Sequence, residues 1–384
     1  MTTAVASQSF PERASSLGPM LRSRTDEIEA AGSLPDDIVS AMQELDLLRM
    51  WVPSAYDGPE VGASEALDTM VELGRHDGAV AWCTMIANTT SLLAARLPAD
   101  WARKLFGDPA SIGAGFAQPR GEARVVDGGL KISGQWQWGS FTRHATAVAG
   151  GCRVIDGPDN GPRVPFVFFD PADVEWIDNW DVIGLRGTGS SDYTVTDAFV
   201  PDGRWVDFGR RPNLVIDRPL YQFSFYGLLA VGVAATVIGM ADRAVEEFAA
   251  SVADRVPQGS KRPLGDKPAV QTEAAKAEAT VHSSLAFVHD VVGQTWERAE
   301  AGLEMTDEHR RLLRLAAADA TQRCGDAVSR LYRVAGGEAV YRRTPIEKLF
   351  RDVNVATQHA MVSERFYETV GRIRLGIDTD TRTL

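Results

Sequence analysis

The stretch GEARVVDGGLKISGQWQW, residues Gly121–Trp138, decides the fold class of this chain, because it has the alternating pattern of β-strands. Asp127 and Gly128 stand between the runs VV and LKIS, and an Asp-Gly pair in that place favours a tight hairpin turn. Short β-branched and aromatic runs, separated by glycine-containing turns, continue on both sides of it. We therefore predict a central β domain over residues 111–215.

Helical periodicity flanks this β domain on both sides. Before it, apolar residues recur at helical spacing in Ser33–Met50, where Ser33 is a candidate helix cap, and the stretch after HDGA is apolar all round, which predicts a buried helix. After it, four segments are each predicted as one long helix: 220–256, 268–302, 307–335 and 345–375. The prediction is an α+β, mainly α fold with an N-terminal helical domain (1–110), the β domain, and an antiparallel four-helix bundle (216–384).

Composition, net charge and cysteine spacing exclude some classes of partner and binding site. The chain has 384 residues, 44% hydrophobic and 24% charged, which is ordinary for a soluble globular protein. A formal net charge of -12 disfavours nucleic acid and anionic membranes as partners. Cys83, Cys152 and Cys324 are isolated, which argues against disulfides and a zinc site and fits a reducing cytoplasm. The apolar run Tyr226–Met240 is shorter than a membrane span and is expected to be a buried helix.

Several segments carry candidate functional residues, and each also has an ordinary structural interpretation. The aromatic residues before Ser140 could be core residues, with Ser140 only starting a turn; Thr188 and Ser190 could cap a glycine-rich hairpin. His359 could be an ordinary helix histidine. The segments are GFAQPRGEA (Gly115–Ala123), GQWQWGSFTRHA (Gly134–Ala145), WDVIGLRGTGSSDYTVTDAFVP (Trp180–Pro201), SKRPLGDKPAVQ (Ser260–Gln271) and AGGEAVYRRTPIEKLFRDVNVATQHA (Ala335–Ala360).

The order of these segments resembles the acyl-CoA dehydrogenase superfamily and, within it, the two-component flavin-dependent monooxygenases. The resemblance covers roughly 34–378 and implies that the β domain is a barrel, with flavin at its junction with the helical domains. It further implies that Trp138 covers one face of the flavin ring and that Ser140 hydrogen-bonds the flavin N5. A flat apolar ring with one reactive nitrogen needs this pair of groups.

The resemblance also assigns residues around the ring. Thr188 and Ser190 would meet a ligand or a flavin phosphate, and Gly336 and Gly337 would let the backbone approach flavin. Arg262 would grip the cofactor phosphates of a neighbouring subunit, although a solvated basic loop is the alternative. In the tripeptide AQP, which replaces the superfamily's Thr-Glu-Pro, only backbone contacts to flavin are expected. The candidate substrate contacts are Asn88, Thr90 and Gln118.

The residues where the dehydrogenases carry their catalytic base differ here. Ala360 stands eight positions after Asp352, where a glutamate is typical, and the alternative position in Tyr226–Met240 contains no acid. His359 falls where the monooxygenase branch carries a histidine beside the flavin. An imidazole there could accept a proton or hydrogen-bond a flavin hydroperoxide.

The resemblance therefore implies a homotetrameric monooxygenase, and the isolated cysteines suggest a cytoplasmic protein with no metal site. The enzyme would take reduced FMN or FAD from a separate NAD(P)H-dependent flavin reductase and react with O2 through a flavin hydroperoxide. A pocket built partly from Trp51, Trp82 and Phe225 would favour a small aromatic or polycyclic substrate. Two alternatives stay open. One is an acyl-CoA dehydrogenase-like enzyme or flavin oxidase with its base elsewhere, and the other is a non-catalytic flavin- or acyl-binding protein.

Overall fold

The chain runs through helices, then strands, then helices. A computed structural model describes residues 7–158, 161–209, 214–382 and 384. The N-terminal helices are α1 (Phe10–Ser16), α2 (Gly18–Ser23), α3 (Thr25–Ala31), α4 (Asp36–Glu44), α5 (Ala63–His76), α6 (Gly78–Ser91) and α7 (Ala99–Phe106). The strands are β1 (Gly113–Val126), β2 (Gly129–Trp136), β3 (Ala147–Asp156), β4 (Pro165–Phe169), β5 (Glu175–Ile177), β6 (Asp192–Pro201) and β7 (Trp205–Asp207). The C-terminal helices are α8 (Pro219–Gln222), α9 (Phe225–Val252), α10 (Pro268–Glu300), α11 (Asp307–Val334), α12 (Pro345–Ala356) and α13 (Arg365–Arg374).

The predicted hairpin joins β1 to β2. Val126 pairs with Gly129, so Asp127 and Gly128 form the turn, and Gly128 has a φ of 73° that suits glycine. The strands form one sheet in the order β5-β6-β2-β1-β3-β4-β7. Within the described residues its edge strands β5 and β7 do not pair with each other, so the sheet is open and the expected barrel is wrong in this respect. Both edge strands are only three residues long, which leaves little ladder with which to close the sheet.

Helix α6 is buried on every side, as its apolar sequence predicts. All of its residues except Ile86 are buried, and Asp77 caps its start by accepting the N–H groups of Ala79 and Val80. The predicted cap of α4 is wrong, because that helix begins after Pro35 and has no side-chain cap. Helix α6 therefore forms part of the interior of the protein.

The C-terminal helices form the predicted bundle around α9. Helices α10, α11 and α12 pack against α9, which also contacts α5 and α6. Among the described residues, two helical stretches are long and apolar enough to cross a membrane: Gly78–Arg96, which is α6 with the 3-10 helix Leu92–Arg96 that follows it, and α9. Most of the apolar window of each is buried inside the protein. The predicted first bundle helix is interrupted, because α8 ends at Gln222 and Ser224 caps α9 by accepting the N–H of Gly227.

The predicted last helix, 345–375, is two helices separated by residues 357–364. Side chains of α11 bind carbonyl groups of this segment that a continuous helix would bind itself. Gln322 donates to the carbonyls of Thr357 (3.3 Å) and Val362 (2.9 Å), and Arg314 donates to that of Met361 (2.7 Å). These bonds satisfy the backbone where the helix stops. The Arg351–Asp352 pair lies within α12, before the break.

Candidate functional site

A cavity of about 460 Å³ lies among α6, the sheet, α9 and the segment 357–364. Seven residues singled out from the sequence line it: Thr90, Gln118, Trp138, Ser140, Thr188, Ser190 and His359. Aromatic side chains form much of the remaining wall: Trp82, Phe116, Phe166, Trp180, Phe225 and Tyr226. Residues from all three regions of the sequence therefore meet at one site.

Trp82, on α6, joins the two predicted catalytic residues. Its indole Nε1 donates a hydrogen bond to Ser140 Oγ at 3.1 Å. Its ring also makes a T-shaped contact with the His359 ring, with the centroids 5.4 Å apart and the planes at 80°. We expected Trp82 only as part of an aromatic pocket wall and gave it no catalytic role; its buried indole N–H finds its acceptor in a distant part of the chain.

The hydroxyl of Ser140 belongs to a buried row of hydroxyl groups. Ser140 Oγ lies 2.7 Å from Ser190 Oγ, which lies 2.7 Å from Thr188 Oγ1. The Thr188 hydroxyl donates to the carbonyl of Leu185 at 2.8 Å. Thr188 and Ser190 therefore line the cavity, but their hydroxyls bond to each other, and Ser190 also bonds to Ser140.

The loop that carries Ser140 is held in a strained conformation. Trp138 has a φ of 56° and Phe141 a φ of 63°, values that bulky residues rarely adopt. Backbone bonds from Gly139 to Ser191 and from Phe141 to Thr188, both 3.0 Å, hold the loop against the neighbouring segment. Strain of this kind persists only where the surroundings enforce it, and it is common at binding sites.

Trp138 lies at the open side of the cavity. The residue is 53% exposed and makes a T-shaped contact with Phe116, with the ring centroids 5.8 Å apart. A large aromatic surface that faces a cavity and is only partly covered by protein is free to stack on a flat ligand. The predicted stacking role therefore stays a prediction with a suitable geometry.

His359 lies in the segment between α12 and α13, and not within a helix as the sequence suggested. Its Nδ1 accepts the N–H of Met361 at 3.4 Å, which places the proton of the neutral ring on Nε2. Burial, and secondly the charge of Arg314, lower the pKa of His359 to about 4. The ring is therefore neutral at pH 7 and a weak base, which favours the second of the two expected roles, hydrogen bonding, over proton acceptance.

A buried cluster of charges lies behind the cavity. Lys348 Nζ lies 2.5 Å from Asp352 Oδ2 and 3.2 Å from Asp77 Oδ2, and Asp352 Oδ1 accepts the N–H of Leu185 at 2.6 Å. Burial raises the pKa of Asp352. Burial alone would lower the pKa of Lys348, but Asp352 and Asp77 raise it. This cluster fastens α6, α12 and the Leu185 segment together.

The β1 strand is irregular where it borders the cavity. Its pairing with β3 shifts register between Phe116 and Pro119, so Ala117 and Gln118 have no partner residue in the ladder. Both line the cavity. A bulge of this kind frees backbone groups for a ligand, which agrees with the expectation of backbone contacts alone from the AQP tripeptide.

The lining suits a flavin ring. Its walls are mostly aromatic and apolar, and its polar groups are amides, hydroxyls and the neutral His359. None of the described lining residues is Asp, Glu, Lys or Arg. A flat, largely apolar ring with hydrogen-bonding atoms along its edge fits such a lining.

Asn88 lies outside the cavity, which corrects its assignment as a substrate contact. Its amide nitrogen donates to the carbonyls of Leu47 and Thr84, both at 2.8 Å, and its oxygen accepts the N–H of Trp51 at 3.3 Å. The side chain is fully buried, and these bonds tie α6 to the preceding loop. Sequence alone does not distinguish such a structural amide from a ligand contact.

Arg262, Gly336 and Gly337 also lie outside the cavity of their own chain. The Arg262 side chain is 75% exposed on the loop between α9 and α10, at 4.0 Å from Asp266. No atom lies within 4 Å of the position that a Cβ would take at either glycine. These three residues face open space. They could contact only a ligand, or a part of a ligand, that lies outside the cavity of their own chain.

The family models of the acyl-CoA dehydrogenases match this chain in two places. The N-terminal domain model matches residues 19–98 and the C-terminal domain model matches residues 231–364. Together they match more than half of the 384 residues.

Individual relatives match along nearly the whole length. The chain is 27% identical to the indole-3-acetate monooxygenase of Pseudomonas putida, covering 92% of this chain and 90% of that protein. It is 28% identical to the flavin-dependent monooxygenase, oxygenase subunit HsaA, of Rhodococcus jostii (strain RHA1), covering 96% and 99%. The crystal structure of the 3-HSA hydroxylase from Rhodococcus sp. RHA1 superposes with a TM-score of 0.90 at 26% identity, covering 98% and 99%. The chain belongs to the acyl-CoA dehydrogenase family, in the part of it that contains these monooxygenases.

Proposed function

We propose that the protein is a flavin-dependent monooxygenase that uses reduced FMN or FAD and O2 to oxygenate a small organic substrate. The observation that carries the proposal is the contact of Trp82 with both Ser140 and His359 on one cavity. The similarity to monooxygenases along nearly the whole chain supports it. When bound, the reduced flavin supplies the two electrons by which one oxygen atom of O2 enters the substrate and the other becomes water.

The residues of the cavity have separate tasks in this proposal. Trp138 and Phe116 cover the flavin ring, and Ser140 hydrogen-bonds its reactive nitrogen. The neutral His359 donates a hydrogen bond from Nε2 to oxygen near the same nitrogen. The aromatic walls exclude water, which strengthens both hydrogen bonds and slows the wasteful release of H2O2.

The cavity does not favour dehydrogenation of an acyl thioester. That reaction needs a base to remove a proton from carbon, and Ala360 lines the cavity where the family's glutamate is typical. The described lining contains no carboxylate that could replace it. His359, with its pKa lowered by burial, is a weak base and a poor substitute.

We further propose that the substrate is aromatic or polycyclic. Phe225, on α9, contacts three other rings: Phe208 at 5.2 Å, Tyr226 at 5.4 Å and Phe166 at 6.1 Å between centroids. Phe166, Phe225 and Tyr226 line the cavity. Such a group of rings offers both faces and edges to a flat apolar substrate.

The proposal includes a partner reductase and a homotetramer. A separate NAD(P)H-dependent flavin reductase would supply reduced flavin, and the description of a relative as an oxygenase subunit supports this partner. In the tetramer, Arg262, Gly336 and Gly337 would contact the flavin of a neighbouring subunit, because they lie exposed outside their own cavity. An Arg262→Ala variant would then weaken flavin binding without altering the cavity of its own chain.

The function is tested by mixing the protein, loaded anaerobically with reduced FMN or FAD, with oxygenated buffer. We expect the wild type to release H2O2 much more slowly than free reduced flavin, and Ser140→Ala and His359→Ala to release it faster. His309→Ala, on α11 and outside the cavity lining, is the matched control and should behave as the wild type does. Release at the rate of free flavin would indicate a non-catalytic binder. Bleaching of the oxidised, flavin-loaded protein by an acyl-CoA would indicate a dehydrogenase.

A further inference from the structure

We propose that Thr188 and Ser190 are positioning residues that make Ser140 a hydrogen-bond acceptor toward the cavity, so that the site selects reduced over oxidised flavin. This inference rests on the proposed function, since it concerns the same flavin site. It reassigns Thr188 and Ser190, which the sequence suggested as direct ligand contacts.

The direction of each hydrogen bond in the row follows from simple accounting of protons. The carbonyl oxygen of Leu185 can only accept a hydrogen bond, so Thr188 donates its single hydroxyl proton to it. Thr188 Oγ1 can therefore only accept in its bond with Ser190, so the Ser190 hydroxyl proton is donated to Thr188. Ser140 must then donate to Ser190, because Ser190 has no proton left to give. Trp82 Nε1 is a donor only, and it donates to Ser140.

Ser140 is left with no proton for a ligand. Its proton points at Ser190 and one lone pair accepts from Trp82, so what it can offer the cavity is its remaining lone pair. Ser140, Thr188 and Ser190 are at most 5% exposed, so bulk water has little access to reverse the row. The order of the bonds is thus a property of the protein.

The end of the row is firmly held. The N–H of Leu185 donates to Asp352 Oδ1 at 2.6 Å, and Asp352 in turn pairs with Lys348 inside the protein. Leu185 itself has a φ of 52°, an unusual backbone that this bond helps to hold. The carbonyl that sets the direction of the whole row therefore has a fixed place.

The two oxidation states of flavin differ at the atom that Ser140 faces. Reduced flavin carries an N–H at N5, which can donate to the Ser140 lone pair. Oxidised flavin carries a lone pair at N5, which meets another lone pair and stays unpaired. A buried polar atom without a partner weakens binding, here by roughly tenfold or more.

The test measures the dissociation constants of reduced and oxidised flavin anaerobically, by titration, for the wild type and three variants. We expect the wild type to bind reduced flavin more tightly. In Thr188→Val the Ser190 proton is free to turn toward Ser140, and the Ser140 proton can then reach N5 of oxidised flavin. The preference should fall by roughly tenfold, mainly through tighter binding of oxidised flavin.

Two further variants separate this effect from simple loss of structure. Thr188→Ser keeps the hydroxyl and should retain the wild-type preference, whereas Ser190→Ala removes the acceptor of the Ser140 proton and should lower the preference as Thr188→Val does. An unchanged preference in both Thr188→Val and Ser190→Ala would overturn the inference while leaving the proposed function intact. Failure of the wild type to bind either oxidation state would overturn both.

Discussion

Replacing Lys348 by methionine should greatly destabilise the fold. The Lys348 ammonium is the cation between two carboxylates, Asp352 at 2.5 Å and Asp77 at 3.2 Å, whose side chains are almost wholly buried. Methionine fills a similar volume but leaves both carboxylates without that charge. Removing one partner of a buried ion pair typically costs about 3–5 kcal/mol, because the remaining charge stays in a medium that solvates it poorly.

The loss should depend on pH in a definite direction. Burial raises the pKa of Asp352 above its unfolded value, and loss of the Lys348 charge would raise it further. A group whose pKa is raised on folding destabilises the fold as pH increases through that pKa. The deficit of Lys348→Met should therefore be greatest at neutral and alkaline pH and should shrink as the Asp352 carboxylate becomes protonated in acid.

Urea unfolding followed by tryptophan fluorescence, at several pH values, measures both effects. Lys276→Met is the matched control, since Lys276 pairs with Glu273 at 3.3 Å but is 61% exposed; it should change stability by less than about 1 kcal/mol. A loss for Lys348→Met no larger than that of the control, or a deficit that grows on acidification, would refute the reasoning.

Three further outcomes are expected. Burial lowers the pKa of His359 from 6.5 to about 4, so between these pH values the unfolded chain binds the proton more readily than the folded chain. Stability should therefore fall as pH drops from 6.5 to about 4. His359→Gln should remove part of this fall, measured as the urea midpoint at each pH. Gly184→Ala would place a Cβ 2.6 Å from the backbone of Arg351 and should lower the melting temperature, whereas Gly293→Ala, in the open on α10, should raise stability by about 1 kcal/mol or less. Phe225→Leu should raise KM for an aromatic substrate by roughly two- to tenfold, measured by steady-state kinetics, and an unchanged KM would count against the aromatic site.

Local signals predicted the parts of the fold that local physics controls. The Asp127–Gly128 turn was predicted correctly because a two-residue hairpin turn has a short sequence signature, the Asp-Gly pair. Helix α6 was predicted correctly because a helix that is apolar on every side has no polar face to expose to water and is therefore buried. The closed barrel was wrong, because closure depends on the length and pairing of edge strands that a single strand pattern does not reveal.

The candidate site was predictable in composition but not in its connections. The seven cavity residues named from the sequence came from segment patterns and resemblance, and the structure brings them together. Trp82 and the order of the hydroxyl row depend on contacts between residues about 50 or more positions apart. The break after α12 depends on hydrogen bonds from Gln322 and Arg314 to residues 357–364. The hydrophobic periodicity of residues 357–364 does not reveal these bonds.

That break has a consequence for how the enzyme can be diversified. Residues 357–364 connect two short helices and are not part of a continuous helical ladder, so substitutions there need not respect a helical repeat. Gln358, His359, Ala360 and Met361 from this segment line the cavity. A library confined to Gln358, Ala360 and Met361, with His359 kept, would vary the shape of the pocket while leaving the long bundle helices untouched. The segment is thus the natural starting point for redirecting the protein to new substrates.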